Sequence, residues 1–292
     1  MTRDDELSSL VARRLGTEVL ATSSVGWGFS AVTLRVRLSS GRHQIAQLRA
    51  RPEALSIVRA TRSLRACGVP VPYVAHVLRA TDESAWILFE EVAGDVAAAR
   101  LGSAAEVGMA ATIGSTLAVV QACSASAFTP DPAWVDGRAL VASVQRWSQD
   151  AEAPVRAAVV ASSERVASRS WIPAVSHGDF APVNVLMAGS AVTALIDLAD
   201  VRRRHPLVDA AWHLLIVRHH HPASFAGLVD PFLDGSFGRA GRPTEARLAD
   251  VAVARAAQLA SGSPFIGRAH LYELLSTALA WVAAALREAP HN

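Results

Sequence analysis

The chain has 292 residues and a formal net charge of +2, and 51% of its residues are apolar. That length and composition exclude wholesale disorder and allow one large domain or two modest ones. All 28 basic residues are arginine, which excludes any chemistry that needs a lysine Schiff base or a Walker-type phosphate lysine.

The first segment, 1–6, is charged and lacks the apolar run of a signal peptide. Residues 2–16 read as a short amphipathic helix. Val32, Leu34, Val36 and Leu38 alternate with polar residues at the period of a strand, Ser39-Ser40-Gly41 turns the chain, and 43–49 returns as a second strand. Pro52 opens a helix over about 53–66, which Gly68-Val69-Pro70-Val71-Pro72 stops. Two more strands are expected at 74–78 and 85–89. After the connector 90–94 the texture changes to Ala-rich helices at about 104–123, 138–168, 206–219, 243–260 and 268–287. Residues 175–200 interrupt them with strands and turns, and Ala188-Gly189-Ser190 forms a hairpin turn. The most apolar helical stretch, 274–286, is too short for a membrane span, which needs about 20 residues. Cys67 and Cys123 are too few for a disulfide framework, and both read as buried and inert. A cytoplasmic protein with no membrane partner is expected.

Charge is uneven along this order. Residues 1–79 carry 12 Arg against 5 acids, 80–200 carry 6 against 14, and 201–292 carry 10 against 7. A basic front and an acidic middle suit an anionic ligand meeting a metal-binding region. Aromatics are only 6% and do not interleave with the arginines, so a nucleic-acid surface is not expected.

The chemistry concentrates in His177-Gly178-Asp179-Phe180-Ala181-Pro182-Val183-Asn184 and, after a hairpin, Ile196-Asp197-Leu198-Ala199-Asp200. A carboxylate and an amide stand five residues apart on one loop, and another carboxylate follows at the end of a return strand. Hard divalent cations such as Mg2+ take oxygen ligands, often one or two from protein and the rest from phosphate and water. Asn184 and Asp197 supply these, leaving Asp179 to accept a proton from an attacking hydroxyl or to orient that hydroxyl.

These two segments resemble the aminoglycoside phosphotransferase/choline kinase family, whose pattern is H-G-D-x-x-x-x-N followed by I-D-x-x-D. The resemblance implies an α+β, protein-kinase-like two-lobe fold. A small β-rich lobe over 1–90 would bind the nucleotide phosphates, and a large helical lobe over 91–292 would hold the catalytic loop, metal site and acceptor pocket. It implies transfer of the gamma-phosphoryl group of ATP or GTP to a small-molecule hydroxyl, with Asp179 as base, His177 positioning the loop, and Asn184 and Asp197 as Mg2+ ligands. Gly26-Trp27-Gly28-Phe29-Ser30 looks like the family's phosphate loop, so Gly28, Phe29 and Ser30 would cover the phosphates. The connector would meet the base through the backbone of Glu90 and Val92, and Asp209 would brace the catalytic loop. His205 replaces a usual Asp.

Arg49 stands where kinase-like folds carry a lysine, and the helix glutamate that pairs with that lysine is missing at Ala60. Arg49 is either fixed some other way or part of a weakened nucleotide site, and the second option is a catalytically weak nucleotide- or ligand-binding protein of kinase shape. The seven acids of 201–292 count against a polycationic acceptor; a macrolide, another hydroxylated antibiotic or a metabolite is comparable. Asp200 is a further metal or water contact or a turn-stabilising residue. Arg202-Arg203-Arg204 is a solvent-facing loop or an anion-binding edge. His219-His220-His221 is a solvated helix end, and Trp134, Trp147, Trp212 and Trp281 are core residues of helices. A monomer or homodimer is expected.

Overall fold

The computed structural model describes residues 2–25, 32–149, 151–262 and 268–288. The N-terminal part is a five-stranded antiparallel sheet in the order β1-β2-β3-β5-β4, from β1 (Val19–Ser24), β2 (Val32–Leu38), β3 (His43–Ala50), β4 (Val74–Arg79) and β5 (Ser84–Glu90). Helix α1 (Arg3–Leu15) covers one face and α2 (Arg51–Ala66) the other. Trp86 and Leu88 of β5 pack with Leu7, Leu10 and Val11 of α1. Ala85, Ile87 and Phe89 pack with Ala54, Ile57 and Val58 of α2. A strand covered on both faces reads as a continuous apolar run, as 85–89 does.

The sequence reading missed β1. It is an edge strand with only two half-buried positions, so it carries no period-two signal.

Beyond β5 lie β6 (Asp95–Val96), α3 (Glu106–Gln121), α4 (Gly137–Trp147), α5 (Ala153–Ala167), β7 (Ala174–Ser176), β8 (Val185–Ala188), β9 (Ala191–Leu195) and β10 (Arg202–Arg204). They are followed by α6 (Val208–His220), α7 (Pro222–Phe237), α8 (Glu245–Gly262) and α9 (Arg268–Glu288). The expected helix over 138–168 is two helices. Pro154 sits in the first turn of α5, where its missing N–H costs nothing, and it could not continue α4. Helix α7 was not expected because Gly227, Pro231 and Gly235 break its helical pattern. Gly235 is there for contact: a Cβ on it would lie 2.4 Å from the Ala111 carbonyl oxygen of α3. Cys123 is buried, and its thiol is pushed up to about 12, chiefly by burial. Cys67 is exposed at the end of α2, contrary to expectation. No described helix is long and apolar enough to cross a membrane.

Two buried histidines make the fold acid-sensitive. His205 accepts a hydrogen bond from Leu207 N at 3.1 Å and sits edge-on to Trp171, with ring centroids 4.6 Å apart. It thereby fixes the turn that leads into α6. His213 donates through Nδ1 to the Phe180 carbonyl at 3.1 Å and stacks on Phe232. Burial lowers His205 to about 3, helped by the charge of Arg247, and lowers His213 to about 4 against the pull of its carbonyl partner. Both rings gain protons near the usual pKa of ~6.5 only when the chain unfolds. Stability is therefore full above that pH and falls through the window down to about 3. The expected slope is ~1.4 kcal/mol per pH unit for each ring, and urea midpoints between pH 7.5 and 5 check it. A flat profile would contradict the assignment of neutral rings.

Candidate active site

The loop over 177–184 is folded by one carboxylate. Asp209, in the first turn of α6, accepts hydrogen bonds from Ser176 Oγ at 2.9 Å, His177 N at 2.7 Å and Gly178 N at 2.9 Å. Gly178 has φ +88°, and a Cβ there would meet the Asp200 carbonyl at 2.5 Å, so the tight turn before Asp179 requires glycine. His177 is buried. It accepts from Asp179 N through Nδ1 at 3.3 Å, so its proton is on Nε2, which donates to the Ile196 carbonyl at 3.0 Å. With both nitrogens engaged, the ring ties the loop to the strand end that precedes Asp197.

Asp179 is half-buried. Its Oδ1 accepts from the Trp212 indole Nε1 at 2.7 Å, and its Oδ2 accepts from Asn184 Nδ2, also at 2.7 Å. Trp212 reads as a core residue in the sequence and is buried, yet its indole N–H orients the proposed base. The Asn184 amide also donates to the Asp179 carbonyl at 2.9 Å. Its nitrogen is thereby fixed, and its Oδ1 makes no hydrogen bond among the described residues.

Asp197 reaches the same place through the β8–β9 hairpin, in which Val185 pairs with Leu195 and Ile196 N donates to the Asn184 carbonyl at 3.0 Å. It adopts φ 57° and ψ 65°, the one positive φ outside glycine among the described residues, a conformation retained where the surroundings over-determine it. Burial raises its carboxyl above the usual range; Arg49 pulls it down and neighbouring Asp179 pushes it further up. An amide oxygen and a carboxylate whose second oxygen, Oδ2, makes no hydrogen bond among the described residues are a donor set that fits a hard divalent cation. The repulsion between Asp179 and Asp197 is what such a charge would relieve.

Arg49 is buried on β3 and held from two sides. It donates to Glu53 at 2.9 Å and to Asp197 Oδ1 at 3.3 Å. The partner glutamate absent at position 60 is supplied by Glu53, four residues on from Arg49 and in the first turn of α2. The i,i+4 spacing across the Pro52 helix start is the signal that locates it. On the connector, Glu90 is exposed and its N–H donates to the Tyr73 carbonyl at 2.9 Å. The backbone N–H and C=O of Val92 make no hydrogen bond among the described residues, so they offer a donor and an acceptor. Gly28, Phe29 and Ser30 lie outside the described residues.

Below the loop lies an ionic cage that the sequence did not disclose. Arg204 is buried; it donates to Asp200 Oδ1 at 2.6 Å, to the Asp200 carbonyl at 2.8 Å and to Asp131 Oδ2 at 2.8 Å. Arg255 of α8, also buried, donates to Asp200 Oδ2 at 2.9 Å, to the Gly178 carbonyl at 2.6 Å and to Gln258 Oε1 at 2.6 Å. Burial opposes ionisation of Asp200, but Arg255 and then Arg204 hold its carboxyl below the usual range. The run Arg202-Arg203-Arg204 is strand β10 paired with β7, not the expected loop; Arg202 is exposed, and Arg204 is buried because its guanidinium is drawn into this cage. Asp200 is spent on this cage.

The profile described as the phosphotransferase enzyme family matches residues 22–251. No curated protein matches the chain by sequence. Among solved structures, a thermostable mutant of aminoglycoside phosphotransferase APH(4)-Ia in ternary complex with AMP-PNP and hygromycin B is similar at a TM-score of 0.73 and 14% identity, over 98% of this chain and 100% of that one. Macrolide 2'-phosphotransferase MphH from Brachybacterium faecium is similar at 0.64 and 20% identity, over 99% and 98%. The GDP complex of aminoglycoside 2'-phosphotransferase-IIIa is similar at 0.67 and 14%, over 97% and 98%. With the family matched over most of its length and this fold beneath it, the chain belongs to the phosphotransferase enzyme family and is a protein-kinase-like enzyme of that family.

Proposed function

We propose that the protein transfers the terminal phosphoryl group of ATP or GTP to a hydroxyl of a small molecule that is not a polycation. The observation that carries the transfer chemistry is the Asp179 carboxylate, aimed by Trp212 and Asn184 beside an Asp197 that is paired with Arg49. Phosphoryl transfer relies on positioning and charge stabilisation more than on covalent chemistry. Residues 1–90 contribute the phosphate side, with Arg49 gripping phosphate oxygens through its fork and Gly28, Phe29 and Ser30 covering them. Val92 and Glu90 meet the base through their backbone. Asn184 and Asp197 would hold Mg2+, which when bound supplies charge neutralisation between the phosphates. Asp179 orients the acceptor hydroxyl and takes its proton, and residues 91–292 shape the acceptor pocket. Similar structures hold AMP-PNP and GDP, which supports a nucleoside triphosphate donor. The Arg49–Glu53 pair favours a working phosphate site over a retired, binding-only one.

The acceptor class follows from how the acids are spent. Of the seven acids in the last third, Asp209 braces the loop, Asp234 pairs with Arg239 and Arg242, Asp230 with Arg242, and Asp250 with Arg165, Glu245 accepts from Trp281, and Glu273 lies 3.7 Å from His270. A polyamine would have to displace these partners. The test is mass spectrometry after incubation with Mg2+, ATP or GTP and a panel spanning macrolides, other hydroxylated antibiotics, neutral metabolites and aminoglycosides. A gain of one phosphoryl group on a macrolide or another weakly charged acceptor is expected. Phosphorylation confined to polycationic aminoglycosides would contradict the acceptor class, and nucleotide binding with no product on any member would contradict the activity.

A further inference from the structure

The histidine run at the end of α6 does not stand alone in solvent. It faces the first two turns of α9, which bring His270 and Glu273 onto one side by their i,i+3 spacing. One ring nitrogen of His219, one of His270 and one carboxylate oxygen of Glu273 lie within 4.8 Å of one another. The two imidazoles are half-buried, with centroids 5.6 Å apart, and His270 Nδ1 is 3.7 Å from the Glu273 carboxylate.

An outer partner sets the protonation of the first of these rings. Thr277, one turn beyond Glu273, gives its hydroxyl proton to the Glu273 carbonyl at 3.1 Å. Its oxygen is 2.8 Å from His219 Nδ1 and, with the hydroxyl proton on that carbonyl, accepts there. His219 is therefore protonated on Nδ1, and Nε2 keeps its lone pair. A hydrogen bond on one imidazole nitrogen that fixes the tautomer and frees the other is the usual support of a metal-ligating histidine.

We propose that His219, His270 and Glu273 bind a divalent transition metal of the zinc class, with Thr277 as the outer-shell support of His219. Two imidazole nitrogens and one carboxylate oxygen suit zinc, copper or nickel, whereas magnesium asks for oxygen donors. The site is thus chemically separate from the Asn184–Asp197 pair. Zinc bonds of about 2.0–2.2 Å place tetrahedral donors roughly 3.3 Å apart, so from separations within 4.8 Å the trio closes by at most roughly 1.5 Å, a movement that side-chain rotation can supply. Bound metal would fasten the C-terminus of α6 to the start of α9. It would do so two turns along α6 from Trp212, the residue that aims Asp179.

Cobalt(II) reports such a site by visible d–d absorption. Tag-free full-length protein titrated with Co2+ in a large excess of Mg2+ is expected to bind one equivalent saturably, and Zn2+ is expected to bleach the signal. His219→Ala and His270→Ala are each expected to lose saturable binding while far-UV circular dichroism shows them folded. Thr277→Val is expected to weaken binding about tenfold or more, the cost typical of a lost outer-shell partner. His221→Ala, outside the trio, is expected to bind like the parent. Absence of saturable binding, displacement of Co2+ by Mg2+, or full binding retained by both histidine variants would overturn the proposal.

Discussion

Replacing Asp179 by alanine is expected to lower kcat by about three orders of magnitude, within the range of a lost general base, while leaving nucleotide affinity nearly unchanged. The reasoning is local. Both carboxylate oxygens are oriented by donors, Trp212 Nε1 and Asn184 Nδ2, each at 2.7 Å, so the group is pre-aimed at an acceptor and no reorganisation is needed on binding. Alanine also strips those donors of an acceptor, which costs on the order of 1–3 kcal/mol for a buried group and less here because Asp179 is half-buried. Asp179→Asn separates the two effects: it keeps the shape and an acceptor oxygen but has no basic carboxylate. Both variants are expected to be comparably inactive, with the asparagine variant closer to the parent in urea midpoint. Near-normal turnover in Asp179→Asn would refute the base assignment.

The second large effect is on Arg255. Its guanidinium is the bridge from α8 to both the catalytic loop, through the Gly178 carbonyl, and the Asp200 carboxylate. Arg255→Met leaves that carbonyl unpaired and leaves Asp200 to Arg204 and the exposed Arg202. Breaking a buried ion pair from one side typically costs ~3–5 kcal/mol, which corresponds to a fall in Tm of roughly 10 °C for a chain of this size class. A purely structural role would stop there. Because the bond falls on the residue before Asp179, kcat of the still-folded variant at low temperature is also expected to drop about ten- to a hundredfold, the scale of a small misplacement of a reacting group. Arg255→Lys restores the charge without the fork and is expected to recover part of the stability and less of the turnover. A destabilised Arg255→Met with normal kcat would remove Arg255 from the positioning machinery.

What could be read from the sequence was whatever is local. The segment from His177 to Asn184 and the Ile196-Asp197 pair are contiguous, and the two-residue turn at Gly189-Ser190 folds one toward the other, so their meeting follows from a hairpin. The strands β2, β3, β4 and β5 were legible because their patterns of two, or their unbroken apolar run, are set by adjacent residues. Residues that act across long separations were not legible. Arg255 meets Gly178 from 77 positions away, and Arg204 meets Asp131 from 73. No spacing rule links such pairs, and an arginine run is ordinarily a solvated loop. Trp212 has two roles at once: burial explains its presence well enough that its indole N–H draws no notice. Glu53 was within reach, since it is one helical turn from Arg49; expecting the partner deep in the helix hid the one at its start. The histidine run reads as a solvated helix end because its partners come from a second helix, with Thr277 58 positions beyond His219.

The most direct measurement is a calorimetric titration of ATP and GTP with Mg2+ and again with a chelator in its place. The parent protein is expected to bind at least one of the two nucleotides far more tightly when Mg2+ is present. Asp197→Ala is expected to lose that dependence while remaining folded, because the carboxylate at the end of the β8–β9 hairpin, which Arg49 contacts, is the one proposed to hold the cation. Mg2+-dependent affinity that is unchanged in Asp197→Ala would mean that the nucleotide and its cation sit elsewhere, and the reading of the Asp179–Asn184–Asp197 site as a phosphoryl-transfer site would fail with it.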